Sequence, residues 1–276
     1  PIADSKEKEN QIMMLSVDNL MITSLETITA FTVGTDEYLF TLDELTEAKL
    51  TQSQESNDIV GARGAVLGKL KTTKKVTGSA TNGLLSLPAL AADVGGEVKR
   101  NQSVSFRWKD VCTVNSDAAT LKYAPASSEL FGVYKLNADN TLGARFEQVS
   151  TTPATGNVKV DNTALTFFEG DLQDGDRVVC YYDREISGAT IVENESGKLS
   201  RDVHMVIDAL AEDTSCNQYY VQIDIPKASL SGSSEIGGGD SQIMHGIEWE
   251  ALASKCGGMV NKYWSYIVVD DGVIDA

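Results

Sequence analysis

The residues of this sequence that could catalyse a reaction are few and widely separated. A serine or cysteine nucleophile needs a histidine base and an acidic partner, and the sequence contains only His204 and His245. His204 is predicted to lie on the strand face opposite to Val203 and Met205, and neither histidine belongs to a nucleophile-elbow motif. We therefore interpret each histidine as a hydrogen-bonded or solvated side chain and expect no catalytic triad.

Glu248 and Glu250 have a spacing that could serve glycoside hydrolysis. Residues i and i+2 of a strand share one face, with Cα atoms about 7 Å apart, and two carboxyl groups at such distances can act as acid and base. Neighbouring acids on an exposed strand are far more common than an active site of this kind. We expect no enzyme activity, and a hydrolase that uses these two glutamates is the alternative.

Two other patterns resemble ligand sites without meeting their requirements. In the glycine-rich segment 61–70, Arg63 stands where a phosphate-binding P-loop needs glycine, and Leu70 stands where it needs serine or threonine. A second pattern groups three aspartates around a glycine: Asp171, Asp174, Gly175 and Asp176. These residues lack the ligand order of an EF-hand calcium loop, and they are typical of a tight turn. We predict no cofactor and no metal ion.

The cysteines are dispersed along the chain, at Cys112, Cys180, Cys216 and Cys256. They form no C-x-x-C pair of the kind that holds zinc. The polar first residues also lack the apolar core of a secretory signal. We therefore expect reduced, partly buried thiols, although an even number also permits two disulfides.

Short apolar runs with a period of two alternate with clusters of glycine, asparagine, aspartate and serine. This pattern predicts an all-β fold. The clearest predicted strands are 25–33, 104–114, 203–211, 221–225, 247–253 and 263–269. Pro226 is predicted to end the strand at 221–225, and one short helix is expected within 84–94, ended by Gly95 and Gly96.

The sequence pattern changes in region 118–187, where clusters of turn residues flank short predicted strands that are rich in aromatic residues. We interpret this region as a small inserted β module, and an extended loop of the same domain is the alternative. The predicted organisation is an N-terminal arm (1–16), a main β domain (17–117 and 188–276) and the insertion (118–187).

The protein is strongly acidic, with 40 acidic and 23 basic residues and a net charge of −17. Such a surface repels phosphate groups, which argues against a protein that grips nucleic acid. The same charge suits a conduit that lets DNA pass without binding it, and it also suits plain solubility. No apolar run reaches the length of a membrane-spanning helix, so we expect no membrane partner.

Acidic and basic residues are segregated between positions 36 and 76. Acids predominate in 36–58, whereas 59–76 contains five basic residues and no acid. Complementary patches of this kind predict contacts between neighbouring copies of the chain. The predicted contact residues are Arg63, Lys69, Lys71, Lys74, Lys75, Glu44 and Glu47. A hairpin whose two strands neutralise each other within one subunit is an equal alternative.

Several segments resemble the tail tube proteins, or major tail proteins, of tailed bacteriophages from gut and Gram-positive hosts. They are YLFTLDEL (38–45), IVGARGAVLGKLK (59–71), KVTGSATNGL (75–84), IPKASLSG (225–232) and HGIEWEALA (245–253). The likeness is weaker in 118–187. The resemblance implies a β-barrel or β-sandwich core whose sheets join across subunits into hexameric rings. The rings would stack into a hollow tube for DNA ejection, with a long hairpin or loop (51–83) reaching the next ring.

The implied partners are further copies of the chain, other tail proteins, and DNA that passes through the lumen without specific binding. The resemblance also implies assembly in the host cytoplasm, a final location in the virion tail, and an insertion on the tube exterior. One alternative is another virion structural protein, such as a capsid decoration or head protein. Another is a carbohydrate-binding surface module whose platform would include Trp249, Tyr219 and Tyr220.

Overall fold

The computed structural model describes residues 19–233, 235–236, 245–253 and 261–269. The predicted N-terminal arm (1–16) and Cys256 lie outside these residues. The described chain forms sixteen strands and one short helix, so the predicted all-β fold is confirmed. It divides into two compact units, one comprising 1–98 and 192–276 and the other 99–191.

The elements follow one another along the chain in this order: β1 (Leu20–Thr32), β2 (Tyr38–Leu42), β3 (Leu45–Val60), β4 (Val66–Asn82), α1 (Leu87–Asp93), β5 (Lys99–Thr113), β6 (Ala118–Thr120), β7 (Gly132–Leu136), β8 (Leu142–Val149), β9 (Asn157–Asp161), β10 (Ala164–Phe167), β11 (Arg177–Ile191), β12 (Asp202–Asp213), β13 (Gln218–Leu230), β14 (Glu235–Ile236), β15 (His245–Ala251) and β16 (Ser265–Val269).

The first unit is built on a nine-stranded antiparallel sheet with the order β2-β1-β12-β13-β15-β4-β3. Strand β14 pairs with β15, and β16 pairs with β13. The sheet curls into a half-barrel, and its inner face carries the core. Along β12, buried and half-buried residues alternate strictly, as the period of two predicts.

The core of the first unit brings together side chains from six strands and the helix. Met205, Ile225, Ile247 and Trp249 are at most 2% exposed, and Ala89 and Ala92 of α1 pack against the same cluster. Full burial of each large apolar side chain contributes about 1.5–3 kcal/mol.

Helix α1 confirms the predicted helix within 84–94, although it is shorter. The Ser86 hydroxyl accepts a hydrogen bond from the Ala89 amide at 3.4 Å, which caps the helix start. Gly95 follows its end with a φ of +70°, and a Cβ there would lie 2.0 Å from the Leu199 carbonyl oxygen. Glycine is therefore required where the helix ends. In the described part of the chain, no helix is long and apolar enough to cross a membrane.

The prediction that Pro226 ends its strand was wrong, because β13 continues to Leu230. The pairing of β12 with β13 shifts register at this point, between Val203↔Ala228 and Met205↔Ile225. A bulge tolerates a residue that has no amide hydrogen to donate to the ladder. The proline is therefore accommodated by an irregularity and does not end the strand.

The second unit is a seven-stranded sheet with the order β5-β11-β7-β8-β9-β10-β6. Its core includes Phe146 and Phe167, whose rings meet edge to face at 5.1 Å. Inside it, Asp110 accepts hydrogen bonds from the Lys122 amide and the Tyr182 hydroxyl, and burial raises the pKa of Tyr182 to about 12. The predicted insertion, 118–187, lies within this unit. The unit also includes all of β5 and β11, since these strands pair along most of their length.

Candidate subunit interface

A long hairpin formed by β3 and β4 projects from the edge of the first sheet. Its outer part, residues 51–75, is called the hairpin arm below. Every residue of the arm is exposed apart from the half-buried Gly61 and Gly68. Ten residues of strand on each side of the turn give a reach of about 34 Å at the usual rise of the strand. At the tip, the Gly61 amide donates to the Ala65 carbonyl at 2.8 Å, and Gly64 has a φ of +77°.

The hairpin arm carries large apolar side chains that nothing covers among the described residues. They are Ile59, Val60, Val66, Leu67 and Leu70, each between 51% and 73% exposed. A two-stranded ribbon alone is marginally stable in water, and clustered exposed apolar residues mark sites of association. The arm therefore has the surface of a segment that packs against another molecule.

The hairpin arm is also basic within an acidic protein. It holds Arg63, Lys69, Lys71, Lys74 and Lys75 against two acids, which gives it a charge of +3. Only one ion pair joins its two strands among the described residues, between Lys69 and Asp58 at 3.7 Å. Lys71 and Lys74 face Ser56 and Gln54 across the ladder, so most of the basic residues have no acid opposite them.

The predicted acidic contact residues, Glu44 and Glu47, lie at the base of the same hairpin. Glu44 stands in the tight connection from β2 to β3, where its amide donates to the Asn82 side chain at 3.0 Å. Glu47 is exposed near the start of β3, opposite Thr81. The hairpin thus has an acidic base and a basic arm.

A polar groove of about 600 Å³ crosses the strands at the base of the hairpin. Its floor follows the row Gly78, Trp249 and Leu230, which are paired neighbours on β4, β15 and β13. Leu50 of β3 pairs with Gly78 and continues this row. The side chains of this row turn toward the core, so the floor is bare backbone. The rows on each side form the walls, namely Thr51, Thr77, Glu250 and Ser229 on one side, and Lys49, Ser79, Glu248 and Ser231 on the other.

Glu248 and Glu250 are the carboxylates of this groove. Glu248 accepts a hydrogen bond from the Ser233 hydroxyl at 3.2 Å, and Glu250 forms an ion pair with Lys75 at 3.4 Å. The two glutamates lie on the sheet face opposite to Trp249, as the alternation of β15 predicts.

Trp249 is only 2% exposed, so it cannot contribute to the carbohydrate-binding platform that was the alternative. Its indole ring lies over Gly78, and a Cβ at Gly78 would come within 2.4 Å of two ring carbons. The ring fills the space that a larger residue of β4 would occupy, because Gly78 lies directly opposite Trp249 in the ladder.

The model of the YomU/Tube protein family matches residues 20–263, which is most of the chain. The chain belongs to the YomU/Tube protein family. The predicted resemblance to phage tail tube proteins is thereby confirmed, and the family assigns this chain to the tail of the virion. A search of curated proteins found no match.

The family match includes the hairpin arm, the groove and the second unit. Its bounds, 20–263, span both strands of the arm and the described part of β15. The surface described above therefore lies within the region that the family model matches.

In this member of the family, a charged cluster fixes the turn between β1 and β2, and sequence reasoning missed it. His204 lies between two carboxylates, with Nδ1 3.0 Å from Asp36 and Nε2 2.6 Å from Asp224. Burial lowers the pKa of His204, but the two hydrogen-bonded carboxylates outweigh it and raise the pKa above its ordinary value. The protonated imidazole can donate to both carboxylates, whereas the neutral ring can donate to only one. The three residues are far apart in the sequence, which gives no signal of their contact.

This cluster predicts a pH dependence of stability. The pKa of His204 is higher in the folded protein than in the unfolded chain. Its contribution to the free energy of unfolding is therefore fully present below the ordinary histidine pKa, and it is lost as pH rises through the folded pKa. Urea unfolding between pH 6 and pH 9 should therefore show a falling free energy of unfolding. His204→Gln should lose about 1.5–3 kcal/mol at pH 6 and lose this pH dependence. An equal slope in both proteins would contradict the assignment.

The remaining candidate residues lie apart from the groove. His245 is fully buried at the start of β15, and burial lowers its pKa, although the charge of Asp93 opposes this. Asp171 and Asp174 accept hydrogen bonds from the amides of Gly156 and Ser116, as turn residues do. Among the cysteines, Cys112 and Cys180 are buried free thiols and Cys216 is an exposed one, so the prediction of partly buried thiols was wrong for Cys216.

Proposed function

We infer that this protein is a virion structural subunit that assembles with copies of itself into stacked rings, which form the tube of the phage tail. The hairpin arm is the observation that carries this inference. Its apolar side chains are exposed, its basic residues mostly lack acids opposite them, and the base of the same hairpin is acidic. A basic arm and an acidic base on one chain are complementary surfaces for two copies. The arm would bind the adjacent ring, and its length sets how far the contact reaches.

The two edges of the first sheet support contacts within a ring. Strands β2 and β3 end the strand order, and in the described residues each pairs on one side only. An unpaired edge is a template for a further strand. Pairing of the β3 edge of one copy with the β2 edge of the next is a head-to-tail contact, which closes into a ring when the rotation permits. Six copies per ring remain an expectation from the family resemblance.

The distribution of charge supports a conduit for DNA. The first unit contains 28 acidic and 13 basic residues, a charge of −15, whereas the second contains 12 acidic and 10 basic residues, a charge of −2. The acidity is thus concentrated in the unit that bears the sheet edges and the hairpin arm. A negative wall repels the phosphates of passing DNA, so the cargo does not adhere.

The role is mechanical, and we propose no reaction at Glu248, Glu250 or either histidine. The other expected partners are further tail proteins at the ends of the tube, and assembly would take place in the host cytoplasm before the virion is released. The near-neutral second unit would lie on the exterior of the tube.

Charge reversal on the hairpin arm tests the proposal. Lys71→Glu with Lys74→Glu should raise the protein concentration needed for assembly by at least about tenfold, because several exposed pairs, each contributing about 0–1 kcal/mol, are lost together. Added salt should weaken assembly of the unaltered protein, since exposed charge pairs are screened. Sedimentation across a series of protein and salt concentrations measures both effects.

Lys109→Glu with Lys262→Glu is the matched control, because it makes the same change in net charge at exposed positions outside the arm. This control should assemble like the unaltered protein. If the arm variant instead loses thermal stability as a monomer and assembles normally, the arm's charges act within one subunit and the proposal is wrong.

A further inference from the structure

The groove at the base of the hairpin has the features of a receptor for one small, charged segment. Its floor has no side chains, and its walls carry hydroxyl groups, two carboxylates and the amine of Lys49. Glu248 and Glu250 share one strand face, about 7 Å apart at their Cα atoms. Because Lys75 pairs with Glu250, the carboxylate of Glu248 is the one left with only a hydroxyl donor among the described residues.

The tip of the hairpin arm, residues 61–65, has complementary features. It consists of glycine and alanine around a single arginine, Gly61-Ala62-Arg63-Gly64-Ala65. Small residues allow a close approach of the backbone to another surface. Among the described residues, Arg63 takes part in no ion pair, and its planar guanidinium is suited to carboxylate partners.

The tip cannot occupy the groove of its own chain. Ten residues of strand (51–60) lie between Leu50 in the groove row and Gly61, and these eleven steps span about 35–40 Å at the usual rise of a strand. The occupant must then come from another copy of the chain. A contact between the tip of one copy and the base of the next is a head-to-tail contact, and it builds a stack where the rotation between copies does not close it into a ring.

We propose that the tip 61–65 of one copy inserts into the groove of a copy in the adjacent ring, where Arg63 binds Glu248. This inference rests on the proposed tube function and names the surface that receives the arm. The exposed apolar residues directly behind the tip, Val60 and Val66, are buried by the same contact. The stacking repeat that follows is about 35–40 Å, since the groove lies at one end of the hairpin and the tip at the other.

A charge exchange tests the proposal in the full-length chain. Arg63→Glu alone and Glu248→Arg alone should each lower the assembled fraction at least about tenfold, because each places like charges together. The double variant, Arg63→Glu with Glu248→Arg, should recover most of the assembly. Arg145→Glu, an exposed change of equal charge in the second unit, is the control and should assemble normally. Sedimentation measures the assembled fraction, and thermal unfolding shows that each monomer is folded.

The outcomes separate this contact from the tube function itself. Normal assembly of Arg63→Glu, or two defective single variants without recovery in the double, overturns the insertion of the tip while leaving the tube intact. An unaltered protein that never assembles overturns the proposed function. Recovery in the double variant is expected only if the two residues meet.

Discussion

Removal of the hairpin arm should leave a folded protein that no longer assembles. The variant replaces residues 53–75 with Asn-Gly, which joins Gln52 to Val76, and these two residues are already paired across the ladder. Asn-Gly is the preferred two-residue turn for such a connection. The deleted residues are exposed apart from the half-buried Gly61 and Gly68, so the buried part of β4, which begins at Val76, is kept.

The expected effect on assembly is large because the arm carries five exposed apolar side chains. Burial of even two such side chains in a contact contributes several kcal/mol, and each 1.4 kcal/mol is a tenfold change in affinity. Assembly should therefore need a protein concentration more than about a hundredfold higher. The thermal midpoint of the monomer should change little, since residues exposed on both faces contribute little to folding.

A variant that keeps the arm but reduces its apolar surface is the matched control for length. Leu67→Thr with Leu70→Thr should retain the hairpin, because threonine suits an exposed strand, and it should weaken assembly less than the deletion. If the deletion variant assembles as readily as the unaltered protein, the arm does not join neighbouring copies.

Gly78→Ala should destabilise the first unit strongly. A Cβ at this position would lie 2.4 Å from the ring of Trp249, which is buried. Overpacking of a core in this way costs about 1–3 kcal/mol. For a chain of this size, such a loss lowers the thermal midpoint by roughly 2–12 °C.

Gly68→Ala is the control, because it makes the same change in the same strand at a site where no atom lies within 4 Å of the added Cβ. Its thermal midpoint should stay close to that of the unaltered protein. Alanine has a more restricted backbone than glycine, but it costs no stability where the space around its Cβ is open. An equal fall in the thermal midpoint of both variants would show that the strand itself requires glycine, and that the contact with Trp249 does not.

The strands that the sequence predicted best are those with one face in the core. Along β12 and β15, buried residues alternate with less buried ones, because one side chain in two must leave water. The hairpin arm was harder to predict, since Val66, Leu67 and Leu70 are as apolar as core residues. The sequence shows that such residues must be covered, but it does not show whether their own chain or another molecule covers them.

The candidate site was predicted only in part, because it depends on which distant strands become neighbours. The basic segment is evident from charge spacing alone, and its role in contacts between copies stays a prediction. The groove does not, since it needs Leu50, Gly78, Trp249 and Leu230 to form one row across four strands. The register of β3, β4, β15 and β13 is a property of the whole sheet, and a sequence without structure does not supply it.

The prediction for Pro226 failed for a related reason. A proline removes one amide donor, which normally ends a strand in the middle of a sheet. Here the long-range pairing of β12 with β13 continues past it by a shift in register. Local propensity was overruled by pairing that only the folded sheet reveals.

Electron microscopy of the purified full-length protein tests the central claim most directly, which is that the chain's surfaces are completed by further copies of itself. The account predicts rings and hollow tubes at high concentration, with an axial repeat of about 35–40 Å set by the hairpin arm. A field of single particles of monomer size, unchanged as the protein concentration rises, would contradict it.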